Sequence, residues 1–121
     1  MAQSYENLMV WQKAMAMVTE IYAATKSFPR DEAFGLTIQL RRSAASVPSN
    51  IAEGRGRLSQ NEFRHFLGTA RGSLLEAETQ MRIARNLGYM SEASLAELLA
   101  RSNAVGRALN GLIGTLKEHA S

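Results

Sequence analysis

The chain has no cysteine, two histidines, two prolines and one tryptophan in 121 residues. Without cysteine there is no disulfide framework, no thiolate metal site and no cysteine nucleophile. That composition suits a reducing compartment, and we expect a cytoplasmic protein. The histidines, His65 and His119, fall on different predicted helices, and no Glu-x-x-His pair accompanies them. The di-iron carboxylate signature of bundle proteins is therefore missing. Glu76 and Glu78 are two residues apart and diverge on a helix. We expect neither a metal nor any other cofactor. There is no run of about 18 apolar residues, so no membrane span is expected. The first apolar run, residues 8–18, is broken by Gln12 and Lys13 and has no basic stretch before it, unlike a signal peptide. Catalytic motifs are lacking too. No nucleophile elbow or Ser-x-x-Lys pattern occurs. Gly54-Arg55-Gly56 lacks the preceding strand and the following Lys-Ser/Thr of a phosphate loop. These absences argue against an enzyme.

What is present reads as helix. The chain is 45% hydrophobic and 21% charged, the balance of one globular domain. The first helix is expected over residues 5–27, with Leu8, Trp11, Met15, Val18, Tyr22 and Thr25 as its seam, widened by Ala14 and Ile21. Ser4 or Asn7 is its candidate cap, and Phe28-Pro29 ends it. The second is expected over residues 31–54. Asp31 and Glu32 suit its first turn, and Leu36, Leu40, Ala44, Val47 and Ile51 form its apolar stripe. Pro48 interrupts the hydrogen-bond ladder at a cost of about 3 kcal/mol. The stripe nonetheless stays in phase across it, which predicts one kinked helix and not two. Ser43 and Ser46 are candidates to satisfy the freed carbonyls, and Gly54 and Gly56 to stop the helix.

The third helix is expected over residues 59–87. Ser59 and Glu62 make a capping box, and Phe63, Leu67, Ala70, Leu74, Ala77, Met81 and Ala84 step evenly by four and three. Gly88 is its C-terminal cap. Gly68 and Gly72 mark a thin patch, read as close helix packing. The fourth is expected over residues 91–118, with Ser91 or Ser94 as cap and Leu95, Leu98, Ser102, Val105, Leu109, Leu112 and Leu116 as seam. Leu99, Gly106 and Ile113 flank that seam. Gly106, Gly111 and Gly114 lower helix propensity, and with the small Ala108 they suggest close approach by another helix. Four long helices with short connections predict an all-α, antiparallel up-down-up-down four-helix bundle.

Two groups of residues carry the functional expectations. The net charge of +3 is uneven: residues 26–71 hold Lys26, Arg30, Arg41, Arg42, Arg55, Arg57, Arg64 and Arg71 against Asp31, Glu32, Glu53 and Glu62. Arg41, Arg42, Arg55, Arg57, Arg64 and Arg71 are the candidate phosphate contacts, with His65 beside them. Arg55, Arg57, Arg64 and Arg71 are expected to form one patch. No interleaved aromatic platform is evident, so contact would be backbone-directed. The ordinary alternative is a solvated charged surface. The second group is a polar row on helix two, Gln39, Arg42 or Ser43, Ser46, Asn50 and Glu53, about 60° around from the apolar stripe. Helix three offers Thr69, Ser73, Glu76 and Gln80. If the rows face each other, Arg41 or Arg42 can pair with Glu76 or Glu53. The favoured role of this row is to fix helix or subunit register.

Several stretches carry a family resemblance. They are Val10-Trp11-Gln12-Lys13-Ala14, Phe28-Pro29-x-x-Glu32-x-Phe34-Gly35-Leu36-Thr37 and Gln39-x-Arg41-Arg42-Ser43-Ala44-x-Ser46-Val47-Pro48-Ser49-Asn50-Ile51-Ala52-Glu53-Gly54. Ala70-x-Gly72-Ser73-x-x-Glu76-x-Glu78-Thr79-Gln80 and Leu87-Gly88-Tyr89 complete the set. Together they resemble the bacterial four-helix-bundle family called 23S rRNA intervening-sequence or S23-type proteins. The resemblance implies a ring-like homopentamer. It also implies similarity to accessory variability proteins of diversity-generating retroelements, basic pentamers that bind nucleic acid and a reverse transcriptase. The expected function is a non-enzymatic RNA- or DNA-binding accessory protein. The alternative is an assembly scaffold that binds no nucleic acid.

Overall fold

The computed structural model describes residues 4–116. The predicted end of helix four at 118 and His119 lie outside the described residues. Four helices make up the fold: α1 Met9–Thr25, α2 Leu36–Arg55, α3 Gln60–Asn86 and α4 Glu92–Thr115. Short 3-10 turns at Tyr5–Asn7 and Arg30–Glu32 precede α1 and α2, and no strand occurs among the described residues.

Cross-helix contacts set the directions. Gly54, late in α2, meets Phe63 and Phe66, early in α3, while Ser43 bonds Gln80 near the other end. Arg71 of α3 bonds Asn110 of α4, and Arg85 pairs with Glu92. Glu20 of α1 pairs with Arg101, while Leu8 and Met9 face Gly111 and Leu112. Each of these pairs is antiparallel, so α1 also opposes α2, its remaining neighbour. The result is an up-down-up-down bundle.

α3 follows its sequence pattern throughout. All seven seam residues, from Phe63 to Ala84, are buried. The Ser59 hydroxyl accepts from the Glu62 N–H at 3.1 Å, the first half of the expected box. At the other end Gly88 has φ +79°, Tyr89 N–H bonds Ala84 C=O, and Gly88 N–H bonds Arg85 C=O. That is a Schellman motif, which satisfies carbonyls the helix would leave open. We predict that Ser59→Ala lowers stability by about 1 kcal/mol, read by denaturant midpoint; no change would show that water replaces the cap.

α2 keeps its stripe, with Leu36, Leu40, Ala44, Val47 and Ile51 buried, and it runs unbroken through Pro48. Its start differs from expectation. Asp31 and Glu32 sit in the 3-10 turn, and α2 begins at Leu36. Glu32 still serves the helix at a distance. Its carboxylate accepts from the Leu36 N–H at 3.0 Å and from the Tyr89 hydroxyl at 2.9 Å. A carboxylate there meets an orphan donor and the positive end of the dipole. A Cβ on Gly35 would sit 2.6 Å from that carboxylate, so glycine leaves room for it. Ser43 and Ser46 do not serve the carbonyls Pro48 frees. Ser43 donates to Leu40 C=O and Gln80, and Ser46 pairs with Ser73.

Gly54 is not a stop. It lies inside α2, buried, and a Cβ on it would fall 2.5 Å from the Phe66 Cβ. α3 approaches α2 this closely because the position has no side chain. Gly56 caps the helix, with its N–H on Ala52 and Glu53 carbonyls.

α1 corrects the expected seam. Val10, Ala14, Met17, Ile21 and Thr25 are buried. Met15 and Tyr22 are exposed, while Leu8, Trp11 and Val18 pack at the core's edge. The seam lies one position away from the stripe of larger residues. Ser4 caps the 3-10 turn through the Glu6 N–H, and α1 itself has no side-chain cap.

α4 buries Leu98, Ser102, Val105 and Leu109, with Leu95, Leu112 and Leu116 half-buried. Its small residues do not all meet a helix. A Cβ on Gly106 would touch Leu74 at 3.6 Å, but Gly111 and Gly114 have nothing within 4 Å. Gly68 and Gly72 on α3 are equally open, so within one chain they pack against nothing. No described helix is long and apolar enough to cross a membrane.

Glu32 gives the fold a pH dependence. Its carboxyl is held below the ordinary carboxylate range, chiefly by the Leu36 N–H and then by Tyr89. The same bond to Glu32 raises Tyr89. A depressed carboxyl contributes stability above its unfolded value of about 4.3 and loses it as pH falls through the folded value. The raised tyrosine contributes below about 10 and loses its share as pH rises through its folded value. Melting temperatures of wild type and Glu32→Gln should therefore converge as pH falls below about 4. A gap unchanged with pH would contradict this role.

Candidate nucleic-acid interface

The α2–α3 connection is built around two rings. With no side chain at Gly54, Phe63 and Phe66 close against the last turn of α2. The Arg55 guanidinium lies 5.8 Å from the Phe63 ring centroid, and Arg57 lies 4.6 Å from that of Phe66. His65 meets Phe66 edge-on at 5.9 Å. Such stacking is worth about 0.5–1 kcal/mol at exposed sites. Each guanidinium is held beside its ring, and the Arg55 Nε is buried there without a hydrogen-bond partner. Arg57 also approaches Glu53 at 3.7 Å with both side chains well exposed, a contact worth little in water. Leu58, at the tip of the connection, is fully exposed. Phe63 and Phe66 went unnoticed in the sequence because the aromatic platform forms only when the chain turns back. The signal was there: each ring follows its arginine by eight or nine residues across a turn.

The structure does not bring all six candidate arginines together. Arg71 turns to α4, where it donates to Asn110 at 2.9 Å. Arg64, seven residues earlier, shares that α4-side flank, whereas Phe66 and its arginine lie on the α2 side. The expected single patch is thus two clusters astride α3. Arg41 is at the other end of the bundle. Its Nε donates to the Thr25 hydroxyl at 2.8 Å and its guanidinium covers Tyr22 at 4.7 Å. Arg42 is exposed beside a polar groove.

That groove lies where the two polar rows meet. Ser43 donates to Gln80, Ser46 pairs with Ser73 at 2.9 Å, and Asn50 donates to the Ser46 carbonyl and hydroxyl. Gln39, Arg42 and Glu76 line its rim, enclosing about 320 Å³. The expected ion pairs do not form: Glu53 goes to Arg57, Arg41 goes to Thr25, and no ion pair joins Arg42 to Glu76. Thr69 bonds its own helix at His65 C=O. In the row Ser43 is buried, Ser46 and Asn50 are half-buried, and the charged members are exposed.

A second cleft of about 440 Å³ opens between α3 and α4. On its floor the buried Ser102 donates to Glu78. Among the described residues no group of three or more His, Asp or Glu side chains is placed to hold a metal.

Comparison with known proteins adds the family. No curated protein matches the chain. A protein of unknown function from the S23 ribosomal protein family of Bacteroides thetaiotaomicron VPI-5482 has the same fold, with a TM-score of 0.78 at 20% identity. The match covers 87% of this chain and 98% of that one. The family described as 23S rRNA-intervening sequence protein matches residues 6–111, nearly the whole bundle. The chain therefore belongs to the 23S rRNA-intervening sequence protein family.

Proposed function

We propose that this chain is a non-enzymatic, cytoplasmic, RNA-associated accessory protein that works as a ring-like homopentamer, with α2 bent at Pro48. The observation that carries the nucleic-acid reading is the pair of stacked arginines, Arg55 on Phe63 and Arg57 on Phe66. Held against their rings, they leave their terminal N–H groups to meet a phosphate. Arg64 and Arg71 add positive charge on the other flank of α3, and Arg41 and Arg42 do so toward the far end of α2. Five copies at +3 each carry +15, which a ring would concentrate. The family's name associates it with RNA. A reverse transcriptase is the protein partner to test first, from the similarity to retroelement accessory proteins.

The second reading, an assembly scaffold without nucleic acid, is favoured by one face of α3. Leu75, Ile83 and Leu87, spaced by eight and then four residues, are 58%, 41% and 54% exposed. An apolar face of this kind fits a protein contact. Gel-shift titration with RNA and DNA at low salt, with mass from light scattering, separates the readings. Shifted RNA and a five-chain mass support the proposal. Absence of any shift leaves only the scaffold, and a monomeric mass removes the ring.

A further inference from the structure

We propose that the cleft between α3 and α4 is a pocket for a single nucleotide, its base lying on Leu75 and Gly106 and its phosphate held by Arg71 and Arg107. Each helix supplies one face to it. Arg71, Leu74, Leu75 and Glu78 follow helical spacing on α3, and Ser102, Asn103, Gly106, Arg107 and Asn110 do so on α4. The cleft exists because α4 is thin here. Gly106 stands opposite Leu74 without a side chain, and Ser102 fills little of the seam. The space, about 440 Å³, is within the range of about 300–1,000 Å³ usual for small-ligand sites.

The polar groups select the ligand's chemistry. Two arginines face one carboxylate, and that carboxylate, Glu78, is engaged by the Ser102 hydroxyl. The remaining charge favours an anion. Arg71 is fixed by Asn110 at 2.9 Å, which leaves its other N–H groups and its planar face for a phosphate or a base. Asn103 carries both a donor and an acceptor, the pair that an adenine edge satisfies. An apolar floor, an amide on the wall and cations at the rim together describe a base joined to a phosphate. A bare inorganic anion would waste the floor, and a neutral apolar ligand would strand the arginines.

The nucleotide's origin, free in solution or one unit of an RNA strand, is the part that rests on the function proposed above. Two arms separate the sources. Adenosine monophosphate is titrated into the full-length protein by NMR. A short single-stranded RNA with one 2-aminopurine is titrated by fluorescence. Both are repeated with Asn103→Ala, Arg107→Ala and Gly106→Phe, and a melting curve confirms that each variant folds. Arg107 and Asn103 are exposed, so at least those two variants keep the bundle.

We expect shifts confined to the α3 and α4 lining, and affinity lowered about tenfold by Arg107→Ala and by Gly106→Phe. If only the RNA probe responds, and the variants weaken that response, the pocket takes a nucleotide within a strand. If only adenosine monophosphate responds, the pocket stands and the RNA function falls. RNA binding that these variants leave unchanged, with no adenosine monophosphate shifts in the cleft, overturns the pocket and spares the Arg55 and Arg57 interface. No response from either ligand overturns both.

Discussion

Gly54→Ala should lower stability by about 1–3 kcal/mol, although alanine is the better helix former. Inside a helix the exchange would ordinarily gain about 1 kcal/mol. Here the new methyl would lie 2.5 Å from the Phe66 Cβ and 3.1 Å from a Phe63 ring carbon. Phe66 Cβ is anchored to its backbone, so the conflict cannot be relieved by rotating a side-chain tip. The helices must separate, and overpacking of this kind typically costs about 1–3 kcal/mol. The melting temperature should fall by about 4 °C for each kcal/mol. A rise in melting temperature would mean that α2 and α3 are looser than the structure shows. Because Phe63 and Phe66 carry the two arginines, the substitution should also weaken RNA binding.

The double substitution Arg55→Ala and Arg57→Ala should lower RNA affinity by about 100-fold at low salt. Each charged hydrogen bond to phosphate is worth about 1.5–3 kcal/mol, which is at least tenfold per arginine. The fold should barely respond, since each stacking contact contributes only about 0.5–1 kcal/mol. Arg101→Ala is the control. It removes one positive charge, half of what the double variant removes, from the α1–α4 side, where Arg101 pairs with Glu20. It should change affinity by no more than about twofold, as exposed charges beyond a Debye length are screened. A loss in the control half as large, on the logarithmic scale, as that of the double variant would reduce the interface to net charge alone.

How legible the molecule was in its sequence varied with the helix. α3 was fully legible because one row of apolar residues is bounded by polar ones, with a capping box before and a glycine after. α1 was legible as a helix but not in phase. It has apolar residues on more than one face, and small Ala14 goes inside while Met15 and Tyr22 stay outside. Spacing alone cannot rank two adjacent apolar rows. The start of α2 was misplaced because Asp31 and Glu32 mimic a first turn. The cap acts instead from a neighbouring turn, through Glu32 across Gly35.

The site was legible in part. The polar rows of α2 and α3 were expected to meet, and Ser43, Ser46, Ser73 and Gln80 do. The ion pairs expected within them do not form, because Glu53 has a nearer arginine one turn on. The stacked arginines were missed, since their partners come from the next helix and the eight- and nine-residue spacings carry meaning only once the chain turns back. Much of the family resemblance proves to be structural. Phe28, Glu32, Gly35 and Tyr89 tie two connections together at one end, and Gly54 sets the helix distance at the other.

The central claim is that this chain binds RNA through phosphate contacts made by its arginines. The most direct test is the affinity of wild-type protein for a single-stranded RNA at salt concentrations from about 50 to 200 mM. The account predicts a linear fall of log affinity with log salt, and a shallower slope, by about 0.7 per lost phosphate contact on a single strand, when Arg55 and Arg57 are both alanine. Affinity that does not change with salt, or no binding at the lowest salt, would contradict it.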